Sequence, residues 1–157
     1  MLRHGETVLI QAAAGAWGSR AVQLASQAGA TVIAVASGTQ RRSRLLELGA
    51  DHVVDRAEHN IVDRVRQYTQ GTGVDLVIDP VGTTLPASLS ALAPEGRLVF
   101  VGNAGGGVSL STCGRQCSPN QTLMGVFMGP LFARPGVRAS VGRPVAGCSS
   151  RAYQGGH

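Results

Sequence analysis

The segment from Thr7 to Ala36 constrains the fold more than any other part of the sequence. A run of β-branched and aliphatic side chains at Thr7–Gln11 predicts a short buried strand. A turn of small residues at 12–18 follows, and then a helix over Ser19–Ala28 and a second strand over Thr31–Ala36. A strand, a glycine turn, a helix and a strand within about thirty residues predict a right-handed parallel crossover.

The same alternation continues through the first hundred residues. Further helices are predicted over Arg42–Leu48, Ile61–Tyr68 and Leu85–Leu92, and further strands over His52–Val54, Val74–Ile78, Arg97–Val101 and Leu123–Phe127. Strands that are apolar on both faces and are separated by amphipathic helices indicate an α/β fold with a doubly wound parallel sheet.

The turn after the first strand has the spacing that a diphosphate site needs. A Cβ in this turn would hold phosphate oxygens away from the amides of the following helix, so small residues are required at set positions. Ala12, Gly15 and Gly18 form the pattern A-x-x-G-x-x-G. Gly15 would let the backbone approach a pyrophosphate, and Gly18 would let the helix pack closely, which predicts a Rossmann-type dinucleotide-binding domain. The other predicted site residues of the turn are Ala14, Ala16 and Trp17. The alternative is a small-residue turn that only packs tightly.

The residues after the second strand favour NADPH over NADH. An NAD site carries Asp or Glu about 20 residues past the turn, where it bonds the ribose 2′-hydroxyl. Here Ser37 and Gly38 occupy that place, and Arg41, Arg42 and Arg44 begin the next helix. A guanidinium attracts the 2′-phosphate that a carboxylate would repel, and Ser37 can donate to it. We predict that Arg41 and Arg42 bind this phosphate; any of the three arginines could instead belong to a solvated helix face, and we expect this of Arg44.

Five ordered segments between about Gly5 and Gly129 resemble the cofactor domain of medium-chain dehydrogenase/reductases, in particular the zinc-independent quinone oxidoreductase branch. The segments are Val8–Gly18, Leu48–Asp55, Gly73–Gly82, Gly96–Gly102 and Gly125–Gly129. Trp17 departs from the small aliphatic residue usual at its position, and it could narrow the turn or shield the cofactor.

The resemblance also implies roles for individual residues. Ser37 and Arg41 would hold the 2′-phosphate, and Phe127 would lie near the nicotinamide. The residues that would line the nicotinamide side are Val81, Gly82, Gly102 and Asn103. No catalytic residue is assigned.

The function implied by the resemblance is that of an NADPH-dependent oxidoreductase, which transfers a hydride to a quinone or an activated C=C. Family members carry an N-terminal barrel-like domain that supplies much of the substrate pocket, and only a few residues precede the first strand here. The chain is therefore expected to be a fragment or to have a shifted reading frame after Gly129. A non-catalytic NADPH-binding module is the alternative, whereas a Rossmann-type methyltransferase is disfavoured because its cofactor lacks a pyrophosphate.

Composition divides the chain of 157 residues into two parts. Residues 1–95 carry eight Arg and all nine acids, whereas residues 96–157 carry six Arg and no acid. Lys is absent throughout, which excludes Schiff-base and Walker-type lysine chemistry. We interpret residues 1–129 as the Rossmann cofactor-binding domain, and residues 130–157 as an irregular Gly/Arg-rich tail that is expected to be disordered.

Other classes of partner are disfavoured by the same sequence. The basic excess lies in the last third, where few aromatic side chains could stack bases, so nucleic acid is not expected. No apolar run approaches a membrane span, and we expect a cytoplasmic protein with a small-molecule substrate. Cys113, Cys117 and Cys148 have no histidine at ligand spacing, so no metal is predicted. The apolar strand Leu123–Phe127 could pair edge to edge in a homodimer.

Overall fold

The structure, a computed structural model, describes residues 2–106 and 120–126. The chain divides into two units, Met1–Val126 and Phe127–His157, and all described residues belong to the first. Strands and helices alternate along them. In chain order the elements are β1 (Thr7–Ile10), α1 (Ala16–Gln27), β2 (Thr31–Ala36), α2 (Thr39–Glu47), β3 (His52–Asp55), α3 (Ile61–Tyr68), β4 (Val74–Asp79), α4 (Leu85–Ala91), β5 (Leu92–Phe100) and β6 (Thr122–Gly125).

The strands form one parallel sheet in the order β3-β2-β1-β4-β5-β6. The central strand β1 pairs with β2 on one side, where Val8 lies opposite Val32, and with β4 on the other, where Val8 lies opposite Leu76. The order reverses at β1, so the chain leaves a crevice at the carboxyl ends of β1 and β4, as in other doubly wound sheets. The predicted fold class is confirmed.

Both faces of the sheet are covered, because successive residues of a strand point to opposite sides. Val8 and Ile10 of β1 belong to one hydrophobic cluster, together with Val22 of α1 and Leu45 of α2. Leu9 belongs to the opposite cluster, to which α3 and α4 contribute Val65, Leu85 and Leu89. This two-sided burial explains why the strands read as continuous apolar runs rather than as alternating patterns.

Several element boundaries differ from the predicted ones. Helix α1 begins at Ala16 instead of Ser19, because Gly15 has extended φ and ψ of −72° and 165° and acts as the N-cap. Helix α2 likewise begins at Thr39 instead of Arg42. Strand β5 begins at Leu92 instead of Arg97, and its register against β4 shifts between Val74 and Leu76, where an irregularity interrupts the strand.

The last strand begins one residue before the predicted start at Leu123 and ends at Gly125. Strand β6 runs from Thr122 to Gly125 and pairs with β5, so that Leu123 lies opposite Leu98. The predicted strand end at Phe127 lies outside the described residues.

An ion pair joins the two halves of the sheet at its amino edge. The Arg97 guanidinium of β5 lies 2.7 Å from a carboxylate oxygen of Glu6, the residue before β1. Its hydrogen bond lowers the pKa of the Glu6 carboxyl from the ordinary value of 4.5. The pair therefore fixes the entry of the chain into β1 against β5.

No helix among the described residues has the length and hydropathy needed to span a membrane.

Candidate functional site

A cavity of about 320 Å³ opens at the carboxyl ends of β1, β2 and β4. It lies at the point where the strand order reverses, which is where open α/β sheets bind ligands. The loops after β1, β2, β3 and β4 all contribute to it. The lining residues are Gln11, Ala12, Ala14, Gly15, Val35, Ala36, Ser37, Arg41, Arg56, Val81 and Thr84.

The two glycines of the first turn face different surroundings. A Cβ on Gly18 would lie 2.5 Å from the Cα of Ala13 and 2.6 Å from the carbonyl oxygen of Ala12, so only glycine lets α1 pack against this turn. A Cβ on Gly15 would meet nothing closer than that same oxygen at 3.5 Å, although Gly15 lines the cavity. The protein itself therefore requires glycine at position 18, whereas position 15 leaves room for a ligand.

The first turn of α1 is open to an anion. Gly15 has no side chain to cap the helix, and no acidic residue lies in the first turn. The first amides of a helix have no intrahelical acceptor, and together with the helix dipole they attract negative charge. Only Gly15 of this helix end lines the cavity, so a diphosphate would reach the amides of the first turn by passing beside Gly15.

A cationic wall closes the other side of the cavity. Arg41 of α2 and Arg56, which follows β3, both line it beside Ser37. Asp55 holds these loops together, because its two carboxylate oxygens accept from the backbone N–H of Gly38 at 3.0 Å and of Ala57 at 2.9 Å. These hydrogen bonds, with a smaller one from Ser37, lower the pKa of the Asp55 carboxyl below its ordinary value. No acidic residue is among the described lining residues.

Arg42 has a different role from its neighbour Arg41. Its guanidinium donates to the carbonyl oxygen of Val53 in β3 at 3.1 Å, and it does not line the cavity. Arg44 lies on the exposed face of α2 and pairs with Glu47 at 3.5 Å. Of the three arginines that begin this region, only Arg41 reaches the cavity wall.

The β4 side of the cavity is held by a buried carboxylate. Asp79, fully buried at the end of β4, accepts from the backbone N–H of Val81 at 2.8 Å and of Gly82 at 3.1 Å. The Thr84 hydroxyl donates to the same carboxylate at 2.8 Å. A buried carboxylate with this many donors fixes the loop that carries Val81 and Thr84 into the cavity wall.

Seven other predicted site residues among the described ones do not line the cavity. The loop containing Gly102 and Asn103 sits against the segment after β4, since Ala104 N–H donates to Pro80 O at 3.2 Å and Gly105 N–H to Val81 O at 2.8 Å. The two segments predicted for the nicotinamide side are therefore in contact. Those that do not line the cavity are Ala16, Trp17, Gly18, Arg42, Gly82, Gly102 and Asn103. Phe127 lies outside the described residues.

Three polar lining residues were not singled out by the sequence analysis, namely Gln11, Arg56 and Thr84. Their position directly after predicted strands was a usable signal for Gln11 and Arg56, because the carboxyl ends of parallel strands share one edge of the sheet. Gln11 follows β1 and Arg56 follows β3 directly, and both could have been placed at that edge once the strands were known.

No group of three or more His, Cys, Asp or Glu side chains within residues 2–106 and 120–126 is arranged to hold a metal ion. Cys113, Cys117 and Cys148 lie outside those residues.

Comparison with known proteins agrees with this geometry. A sequence model of the family described as zinc-binding dehydrogenase matches residues 16–138. A phthioceranic/hydroxyphthioceranic acid synthase from Mycobacterium tuberculosis is 39% identical over 102 residues, which are 64% of this chain and 5% of the synthase. A 2-haloacrylate reductase from Burkholderia sp. is 38% identical over 106 residues, which are 67% of this chain and 32% of the reductase.

The fold is shared with solved structures. The quinone oxidoreductase from Thermus thermophilus, which has also been solved in complex with NADPH, superposes with a TM-score of 0.72 at 35% identity, over 88% of this chain and 44% of that one. The chain thus spans less than half the length of each of these three relatives.

The sheet order, the glycine turn and the cavity at the switch point define a Rossmann-type dinucleotide-binding domain. The chain belongs to the zinc-binding dehydrogenase family and, with it, to the medium-chain dehydrogenase/reductase superfamily. Within that superfamily its relatives place it in the zinc-independent, quinone oxidoreductase-like branch.

Proposed function

We propose that this chain is the cofactor-binding part of an NADPH-dependent reductase that acts on a quinone or an activated C=C. The observation that carries the proposal is that one cavity has a helix end open to an anion on one side and two arginines on the other. The open first turn of α1 with Gly15 stands at one end, and Arg41 with Arg56 stands at the other. The reductases among its relatives, which are named for quinones or 2-haloacrylate, support the same class of reaction.

The preference for NADPH rests on the charge of the wall after β2 and β3. Ser37 already hydrogen-bonds Asp55, so the two guanidinium groups of Arg41 and Arg56 are the groups that can neutralise a 2′-phosphate here. A carboxylate for the 2′-hydroxyl of NADH is missing from the described lining residues. The solved NADPH complex of the Thermus enzyme supports this choice of cofactor.

The chemistry divides between the cofactor and this chain. When bound, NADPH supplies the hydride. The chain fixes the cofactor by backbone amides at α1, by cations near β2 and by the loop that Asp79 holds after β4. The described lining residues include no His, Cys, Tyr, Asp, Glu or Lys, so the proton that accompanies hydride transfer comes from solvent or from residues beyond this wall.

The test is NADPH binding by calorimetry, with Gly15→Ala as the decisive variant. The added methyl is tolerated by the fold but stands where a pyrophosphate would approach, so we expect unchanged thermal unfolding and at least tenfold weaker NADPH binding. Gly18→Ala serves as the contrast, because its methyl meets the backbone and should lower the stability of the protein itself. Wild-type protein that is folded and shows no NADPH binding would overturn the proposal.

A non-catalytic NADPH-binding module is the second candidate. It is favoured by the lack of a proton donor among the described lining residues. The two functions are separated by following NADPH absorbance with a simple quinone and with 2-chloroacrylate. Consumption with either supports the reductase, and binding without consumption supports the module.

A further inference from the structure

Gln11 is a buried polar residue whose role the glycine turn does not explain. It is only 1% exposed, yet it lines the cavity at the end of β1. Its backbone N–H donates to the carbonyl oxygen of Ile78 at 3.0 Å, which places it on the β4 side of the cavity, near Val81 and Thr84. The next-but-one residue, Ala13, donates instead to Val35 on the β2 side.

The orientation of the Gln11 amide is imposed by two buried groups behind it. Ser88 Oγ lies 2.7 Å from Asp79 Oδ2, and Gln11 Nε2 lies 3.1 Å from Ser88 Oγ. A serine hydroxyl has one proton, and Asp79, which already accepts from backbone N–H groups, takes it. Ser88 must therefore accept its second hydrogen bond from Gln11, and only the NH₂ end of the amide can donate it.

This arrangement leaves the other end of the amide for a ligand. With Nε2 held by Ser88, the carbonyl oxygen Oε1 of Gln11 receives no hydrogen bond from any described residue. Gln11 lines the cavity, so a ligand hydroxyl there can supply the donor that its Oε1 lacks among the described residues.

We propose that Gln11 Oε1 accepts a hydrogen bond from a hydroxyl of the ribose on the nicotinamide side of the bound dinucleotide, and that Ser88 and Asp79 are positioning residues that keep the amide in this orientation. The inference rests on the proposed function. A pyrophosphate offers no donor to a carbonyl oxygen, and the adenosine side is assigned to the wall of Ser37 and Arg41. The hydroxyl-bearing group that falls between α1 and Val81 is therefore the ribose next to the nicotinamide.

The test compares two ligands on the full chain, NADPH and adenosine 2′,5′-bisphosphate, which lacks the nicotinamide ribose. Gln11→Met keeps the size of the side chain and removes the acceptor. We expect it to weaken NADPH about three- to tenfold and to leave the bisphosphate unchanged. Gln23→Met, which alters a glutamine of α1 that donates to Ser19 O away from the cavity lining, should change neither affinity.

A second variant examines the positioning role. Ser88→Ala releases the amide, so NADPH should again weaken, by a smaller factor, while the bisphosphate binds as before. The inference is overturned if Gln11→Met binds NADPH like wild type, or if it weakens both ligands equally. Should Gln11→Met fail to fold, an unchanged NADPH affinity in Ser88→Ala would overturn the positioning role. Wild-type protein that binds neither ligand would instead overturn the proposed function.

Discussion

Ala12 turns the chain from β1 toward α1 with a left-handed backbone, at a φ of +50°. An L-residue is strained there, because its Cβ approaches the backbone, whereas glycine is not. Ala12→Gly is therefore expected to raise the free energy of unfolding by about 1 kcal/mol. Ala14→Gly, in the same turn but at a residue without positive φ, should lower it by about 0.5–1 kcal/mol. Urea unfolding of wild type and both variants measures these free energies. An Ala12→Gly variant that is less stable than wild type would contradict the strain argument.

Alanine substitutions at three arginines should distinguish an effect on cofactor selection from an effect on stability. The residues are Arg41, Arg42 and Arg56. Arg41→Ala and Arg56→Ala each remove a cation from the cavity wall, so NADPH binding should weaken about three- to tenfold while NADH binding stays the same. Arg42→Ala removes the hydrogen bond to Val53 and should lower the unfolding free energy by about 1 kcal/mol without changing the ratio of the two affinities. Parallel titrations with NADPH and NADH measure the ratio of the two affinities in each variant. A shift of that ratio in Arg42→Ala as large as in Arg41→Ala would refute the assignment.

At the scale of elements, the ion pair of Glu6 with Arg97 ties β1 to β5 across β4. The Arg97 hydrogen bond lowers the pKa of the folded-state Glu6 carboxyl from 4.5, so the stabilisation is present above that pH and is lost as the pH falls below it. Wild type should exceed Glu6→Gln in unfolding free energy by about 1 kcal/mol near neutral pH. The difference should shrink toward zero as the pH falls below the folded-state pKa of Glu6, which is lower than 4.5. A gap that does not change with pH would rule out this linkage.

The elements were largely predictable because their signals are local. Most described strands contain a short apolar run, and every helix except α2 shows its apolar residues at helical spacing, so a parallel sheet follows from the alternation of strands and helices. The start of α1 was missed because Ala16 and Trp17 look like turn residues until Gly15 is known to be the N-cap. The irregular entry of β5 depends on Glu95 at a φ of +62°, which no propensity indicates.

The site was only partly predictable, for the opposite reason. Gly15, Ser37 and Arg41 follow from a spacing within one crossover, and all three line the cavity. Arg56 and Gln11 join them only because separate strands end at one edge, which is a long-range fact. The hydrogen bond that turns Arg42 toward Val53 is likewise set by the packing of α2 on β3 and has no counterpart in the sequence pattern.

At the scale of the whole molecule, β6 is the outermost strand of the sheet among the described residues. Of the described strands only β5 lies beside it, and Leu123 and Met124 are 44% and 42% exposed. We propose that two copies pair along this edge as a homodimer. Leu123→Lys should shift the mass measured by light scattering from dimer toward monomer. Leu46→Lys, at a leucine of α2 that is 42% exposed, should leave it unchanged. A wild-type protein with the mass of a monomer in light scattering would overturn this proposal.

The cavity walls are carried by separate loops, with the cations after β2 and β3 and the Asp79-held loop after β4. Changes at sites that share no partners combine nearly additively. Under the proposed function, dinucleotide preference and hydride delivery therefore depend on separate loops, and a designer could exchange Ser37, Arg41 and Arg56 to accept another adenosine moiety without changing the residues on the nicotinamide side.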